Sequence, residues 1–292
     1  MADLGRIIDV LDRDGALHLN GRPDFGDWPR VDGDVYPVDF ERLARLDHDG
    51  EFDPWFPEVD PAVLDEVLSG KGGLRDSSGA VPAIDVLAWY QPIHFFANDW
   101  GIFIKEKALL DLAADLAPWI PSRYRASSPR TEFASLIRTV FAFLFLHEQY
   151  HHKVESFSIR LHIVDQRPVY PDYVARIVRS VFGTDDNLEE ALANADAWRR
   201  LTDPPYKNWV PTGRRQSVKN WLEDVFHHSP PGYRRAPGLL SKATFDATEQ
   251  LIQSRAQEAR LTPRRGSVSD FADADHMMQS LFNLRQKGLL HG

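Results

Sequence analysis

Apolar positions along the chain predict a mainly helical protein with a few strands in its first third. Seven apolar residues in a row, 140–146, run directly into a polar cluster rich in histidine. A buried helix explains such a run, and the preceding Ser127-Ser128-Pro129 is typical of a helix N-terminus near Thr131. Because neither Gly nor Pro occurs before Pro168, we expect this helix to continue beyond Lys153.

Weaker patterns divide the rest of the chain. Helices are predicted around 40–46, after Pro61, and over 105–116, 172–182, 184–201, 216–228, 243–260 and 268–286. Strands are predicted over 84–90 and 101–104, and short strands or a hairpin within 1–35, around Asp12–Gly15. These elements suggest an N-terminal α+β part (1–120), central helices (121–201) and a C-terminal helical part (202–292), or else one compact domain.

The polar cluster after the apolar run has the spacing of a metal site. It reads His147-Glu148-Gln149-Tyr150-His151. On a helix, the first and last of these residues lie one turn apart on one face, so two neutral imidazoles can hold one zinc ion. Glu148 lies on the adjacent stripe, where a carboxylate reaches a water without binding the metal. A structural pair of core histidines is the simpler alternative.

A third ligand is expected from a later helix. Glu190 and Asn194 share a face at i and i+4, so the carboxylate could bind the metal while the amide orients a ligand. Glu189 is the alternative ligand. Glu155 is excluded because eight residues of helix place it about 12 Å along the axis from His147. We expect Glu155 to pair with Arg or Lys on the helix surface, or to act as an acceptor behind the ligands.

Composition narrows the possible functions. The chain has 292 residues and no cysteine, which excludes disulfides, thiolate metal sites and cysteine nucleophiles. No secretory signal and no membrane-length apolar run are visible, so a cytoplasmic protein without a membrane partner is expected. A net charge of −9 argues against nucleic acid as a partner. Residues 1–70 carry 18 acidic and 6 basic side chains, which favours basic segments among any peptide substrates.

Taken together, residues 132–200 resemble the zincin metallopeptidases of the gluzincin type. His147, Glu148 and His151 match the His-Glu-x-x-His signature of that class, and Glu190 with Asn194 matches its later Glu and Asp or Asn. The second stretch is also distantly similar to that of ImmA/IrrE-type peptidases, although Ala-Asp-Ala follows it here. The resemblance implies a zincin-like helical core around the motif helix.

The resemblance also implies chemistry. Zn²⁺ would be held by His147, His151 and Glu190, and Glu148 would be the general base for water that attacks a peptide bond in a peptide or protein substrate. A Tyr or His commonly stabilises the oxyanion in such sites. The sequence does not choose among the candidates, which are Tyr90, His94, His162, Tyr206, His227 and His228.

Two other functions fit parts of the pattern. A helical di-iron carboxylate oxidase would use Glu148 with His151 as one Glu-x-x-His pair, and Asp224 with His227 as an analogous one, completed by Glu132 and Glu190. That architecture normally has Glu in both pairs. A non-catalytic binding module would use the aromatic N-terminal third to hold a partner. The sequence does not indicate the oligomeric state.

Overall fold

The fold is organised around one helix of 37 residues. The computed structural model describes residues 4–17, 59–166, 168–204 and 206–258. The described part is mainly helical with one small antiparallel sheet, as predicted. Its helices and strands are α1 Leu4–Arg13, α2 Pro61–Leu68, β1 Ala88–Gln91, α3 Ile93–Phe96, β2 Gly101–Ile104, α4 Glu106–Leu116, α5 Pro129–Asp165, α6 Tyr170–Tyr173, α7 Arg179–Val181, α8 Leu188–Arg200, α9 Arg215–His227 and α10 Lys242–Glu258.

Helix α5 begins and continues as the sequence predicts. The Ser128 hydroxyl accepts a hydrogen bond from the Thr131 amide at 3.1 Å, and Pro129 occupies the first turn. At 1.5 Å per residue the helix is about 55 Å long. Every residue from 139 to 150 is buried. A helix that is buried on all sides needs apolar side chains all round, and the apolar run over 140–146 provides them.

Helix α8 packs against α5 over most of its length. Residues 188–197 are all buried, and the alanines among them have no exposed surface. Small side chains let two helix backbones approach closely, so the alanine-rich sequence explains this contact. The helix begins at Leu188, not at the predicted residue 184, because 184–187 form turns before it.

A two-stranded hairpin covers one side of α5. In β1 and β2 the Cα partners run from Ala88 with Ile104 to Gln91 with Gly101. The strand predicted over 84–90 is shorter than expected, because residues Ile84–Val86 form a 3₁₀ turn before β1 begins. Helix α4 follows the hairpin and agrees with the prediction for 105–116.

The N-terminal prediction was wrong where the structure describes it. Residues Leu4–Arg13 form a helix instead of short strands. Ile7 and Leu11, spaced i and i+4, lie on one buried face and pack in a small cluster with Ile159 of α5. That helical spacing outweighed the turn signal of Asp12–Gly15, which follows as the end of the helix.

The later helices agree in number and order with the predictions that can be compared. The segment predicted as a helix over 172–182 begins at Tyr170 and contains a π-helical turn, Val174–Val178. Helices α9 and α10 lie at the predicted positions. The helices predicted around 40–46 and over 268–286 fall outside the described residues. No helix in the described ranges combines the length and apolar character needed to cross a bilayer.

Candidate metal centre

Two histidines on α5 form the base of the candidate site. His147 and His151 lie one turn apart at the end of the buried stretch of the helix, and their Nε2 atoms are 3.4 Å apart. His147 has no exposed surface, and the side chain of His151 is 12% exposed. The predicted convergence of the two imidazoles is therefore present in the structure.

Glu190 of α8 completes a triangle of donor atoms. Its Oε2 atom lies 3.3 Å from Nε2 of His147 and 3.4 Å from Nε2 of His151. Ligands that surround one zinc tetrahedrally at ~2.0–2.1 Å are about 3.3–3.4 Å from one another. The same Glu190 oxygen is buried without a hydrogen-bond partner. Two imidazoles and one carboxylate therefore fit a zinc ion in both chemistry and spacing.

Each imidazole is oriented from behind by a residue of α8. Asn194 Oδ1 lies 2.9 Å from Nδ1 of His147, the orienting contact predicted for this amide. Glu189 Oε1 lies 2.8 Å from Nδ1 of His151, and Oε2 of the same carboxylate accepts a hydrogen bond from the Tyr173 hydroxyl at 2.6 Å. Such partners fix the tautomer so that Nε2 presents its lone pair to a metal. Glu189 thus lies behind the triangle, and Glu190 is part of it.

Glu148 is buried beside the triangle with an unusually bare carboxylate. It is 1% exposed, and neither carboxylate oxygen has a hydrogen-bond partner. The backbone amide of Tyr90, in β1, lies near it. Burial raises the pKa of Glu148 well above its usual value, and nearby Asp85 adds to the rise. A bare carboxylate in a dry site is suited to accept a proton from a bound molecule.

The charges of the three donor groups are interdependent. Burial lowers the pKa of His147, which favours the neutral form that binds metals. For His151 burial has the same tendency, but the carboxylates of Glu190 and Glu189 outweigh it and raise the pKa. The positive charge on His151 in turn lowers the pKa of Glu190, despite its burial. Without a cation in the triangle, a protonated His151 balances the Glu190 carboxylate.

Sequence reasoning missed two residues that face this centre. Asp85 lies in the 3₁₀ turn before β1. Its carboxylate oxygen and the three donor atoms of the triangle all lie within 4.8 Å of one another. Tyr233 stacks its ring on His147, with centroids 6.0 Å apart, and its side chain lies near Asp85. Burial and the Glu190 carboxylate raise the pKa of Asp85 to about 7.

Neither residue has a recognisable signal in the sequence. Asp85 stands inside an apolar stretch that was interpreted as a strand, and Tyr233 follows a Pro-Pro-Gly turn. Gly232 in that turn has φ +89°, a conformation that favours glycine and directs the chain back towards α8. The backbone carbonyl of Tyr233 then accepts a hydrogen bond from the Asn194 amide at 3.4 Å.

Glu155 is not the surface residue that we expected. It is fully buried one turn beyond His151, and its carboxylate accepts hydrogen bonds from the amides of Ile93 and His94 at 3.0 and 2.9 Å. Nδ1 of the His94 ring lies 2.6 Å from the same carboxylate, and the Tyr90 hydroxyl donates a hydrogen bond to it. These contacts lower its pKa, although burial alone would raise it. Glu155 therefore anchors the chain after β1 to the motif helix.

The predicted oxyanion-stabilising candidates are dispersed in the structure. Tyr90 and His94 belong to the Glu155 cluster, and His162 lies 3.1 Å from Asp14. Tyr206 packs against Phe145 and Trp209, while His227 and His228 are exposed at the end of α9. None of these side chains belongs to the four-residue group of possible ligands in the described ranges.

The second pair required by the oxidase alternative lies elsewhere. Asp224 bonds the Arg75 guanidinium at 2.7 Å, and Glu132 forms an ion pair with Arg214. Within the part of the chain that the structure describes, the residues close enough to share a metal are Asp85, His147, His151 and Glu190. The geometry therefore gathers ligands for one centre around the motif helix.

Comparisons with known proteins found no relative of this chain. A scan of protein-family models, a search of curated proteins and a search of solved structures each gave no match. Arguments about function therefore rest on the geometry of the site and on the resemblance of its motifs.

Proposed function

We propose that this protein is a zinc-dependent metallopeptidase in which His147, His151 and Glu190 bind the metal. The observation that carries the proposal is the triangle of donor atoms, whose sides of 3.3, 3.4 and 3.4 Å suit one tetrahedral ion. Zinc held there would supply Lewis-acid chemistry, lowering the pKa of a water towards ~7 and polarising a scissile carbonyl.

Glu148 is the proposed general base. No side chain among the described residues hydrogen-bonds its two oxygens, so the carboxylate can reach a water or a substrate nitrogen. In this role the carboxylate takes a proton from the attacking water and later gives it to the leaving amine. A cation in the adjacent triangle would favour the ionised form of Glu148, opposing the effect of burial.

Other residues of the chain keep this arrangement in place. Asn194 and Glu189 hold the two imidazoles with Nε2 towards the triangle. Tyr233, whose ring packs on His147, is the aromatic hydroxyl that we propose for the oxyanion role. The substrate class is a peptide or protein. Basic segments remain the expectation from the acidic first 70 residues, which lie largely outside the described ranges.

The test compares wild-type protein with Glu148→Gln. Each is incubated with a proteome digest, and new peptide termini are counted by mass spectrometry. General-base loss typically lowers a rate by ~10²–10⁴, so cleavage should fall below detection while zinc content and helix content stay unchanged. Glu106→Gln, an exposed glutamate in the first turn of α4, is the matched control and should cleave normally.

Three outcomes would count against the proposal. Equal cleavage by wild-type protein and Glu148→Gln would remove Glu148 from the mechanism. Two irons per chain in place of one zinc would favour the di-iron oxidase, and a protein without bound metal would favour a binding module. The structure contains no observation that favours either of these over the peptidase.

A further inference from the structure

A further carboxylate, that of Asp85, lies at the three-ligand site, and the proposed mechanism gives it no role. Asp85 lies in the 3₁₀ turn Ile84–Val86, just before β1, and reaches the centre from a segment other than α5 and α8. Peptide hydrolysis as proposed uses Glu148 as its one base. A second carboxylate at the same point therefore needs a separate explanation.

The position of Asp85 suits a ligand. Its carboxylate oxygen and the donor atoms of His147, His151 and Glu190 all lie within 4.8 Å of one another. Two ligands of one zinc ion are separated by at most ~4.2 Å, twice the bond length. The donor atoms of this group are thus gathered on nearly the scale of one coordination sphere, and Asp85 itself is only partly buried.

Charge also favours coordination by Asp85. Two neutral imidazoles and two carboxylates exactly cancel the charge of one Zn²⁺ ion, and a buried centre is stabilised when its net charge is close to zero. Tyr233 stacks on His147 and lies near the Asp85 side chain, so it packs beside the carboxylate. The neighbouring Val86 is 53% exposed, which places this turn at the surface over a buried centre.

We infer that Asp85 is a fourth protein ligand that closes the resting metal centre. This inference rests on the proposed function, because it assumes that zinc occupies the triangle. A tetrahedral ion with four protein ligands has no position for a water or a carbonyl oxygen. Substrate must therefore displace Asp85, and the turn that carries it is the part of the fold that opens the site.

The inference can be tested by comparing the wild-type protein with Asp85→Asn. Zinc is replaced by Co²⁺, whose visible absorption reports coordination number and ligand exchange, and azide is added as a small competing ligand. A closed centre in the wild-type protein should give a spectrum that does not respond to azide. In Asp85→Asn the same addition should change the spectrum, because the open position accepts the anion.

Zinc affinity gives a second, independent measurement. Competition with a chelator should show at least ~10-fold weaker zinc binding in Asp85→Asn, as expected when an interaction with a metal centre is lost. Asp99→Asn is the matched control, since Asp99 is an exposed aspartate in the 3₁₀ turn just before β2. It should leave both measurements unchanged, and circular dichroism should show the same helix content in all three proteins.

The inference would be overturned by an azide response in the wild-type protein as large as that in Asp85→Asn. An absent response in both proteins, or unchanged zinc affinity in Asp85→Asn, would overturn it as well. Glu190→Gln separates this result from the proposed function. If Glu190→Gln loses zinc while Asp85→Asn behaves as wild type, only the closed centre is rejected; if both retain zinc fully, the proposed metal site itself is wrong.

Discussion

Helix α5 carries two buried clusters built from the same residue types, and they differ in how their carboxylates are satisfied. In the cluster around His147 and His151, Glu190 presents an oxygen with no hydrogen-bond partner to two imidazole nitrogens. In the second cluster, one turn beyond His151, Glu155 accepts hydrogen bonds from two backbone amides, an imidazole and a phenol. The first cluster has room for a cation, while donors already fill the second.

This difference shows which histidine and glutamate pairs are suited to bind a metal. Burial costs a carboxylate its hydration, and the cost is offset by donors, by a charge or by a metal ion. Glu155 is compensated by protein donors and holds the chain after β1 in place. Glu190 is compensated by protonated His151 or, in our proposal, by zinc. Residue type alone does not distinguish the two cases, but the number of donors around each carboxylate does.

The largest expected effect is on metal content. His147→Ala and His151→Ala each remove one side of the donor triangle, so both should lose the single zinc ion per chain that we expect in the wild-type protein. Metal analysis after gel filtration measures this directly. His94→Ala, from the Glu155 cluster, is the matched control and should retain zinc. Full zinc retention in both triangle variants would show that the metal lies elsewhere.

A pair of glutamine substitutions contrasts the two clusters. Glu190→Gln should lose zinc with little loss of stability in the metal-free protein. Glu155→Gln should keep zinc but lower the free energy of unfolding by about 3 kcal/mol, the scale for breaking a buried charged network. Chelator competition and urea unfolding measure the two effects. Zinc loss in Glu155→Gln with retention in Glu190→Gln would reverse the assignment of the clusters.

The stabilising effect of Glu155 should depend on pH. The folded-state pKa of Glu155 lies below its unfolded value, so its contribution is present above the usual Glu pKa and is lost as the pH falls through the lower, folded-state value. The difference in unfolding free energy between wild type and Glu155→Gln should therefore shrink on acidification. Urea unfolding from pH 7 down to pH 3 measures it, and a constant difference would contradict the assigned charge state.

The smallest effect is expected from the residue behind His147. Asn194→Ala removes the contact to Nδ1 but leaves the donor triangle intact, so zinc affinity should fall by ~10–100-fold without complete loss. Asn220→Ala, at an exposed position of α9 where Asn220 bonds Gln216, serves as the control. An unchanged affinity in Asn194→Ala would mean that the amide does not orient the imidazole.

Several parts of this protein follow from local sequence. The uninterrupted apolar run over 140–146 makes a buried α5, and the i, i+4 spacing places His147 and His151 on one face of it. The same spacing pairs Glu190 with Asn194, and the alanines around them allow close packing of α8. These outcomes depend on helical periodicity, which a single segment specifies without reference to the rest of the chain.

Which distant segments meet at the site depends on tertiary structure, because helical periodicity describes only one segment at a time. Asp85 and Tyr233 reach the metal centre from segments 62 and 86 residues away from His147 along the chain. The burial of Glu155 and its set of donors depend on where the turn after β1 packs. Which carboxylate is satisfied, and which is left bare for a cation, is set by donors brought together from distant segments. Only the folded chain determines that arrangement.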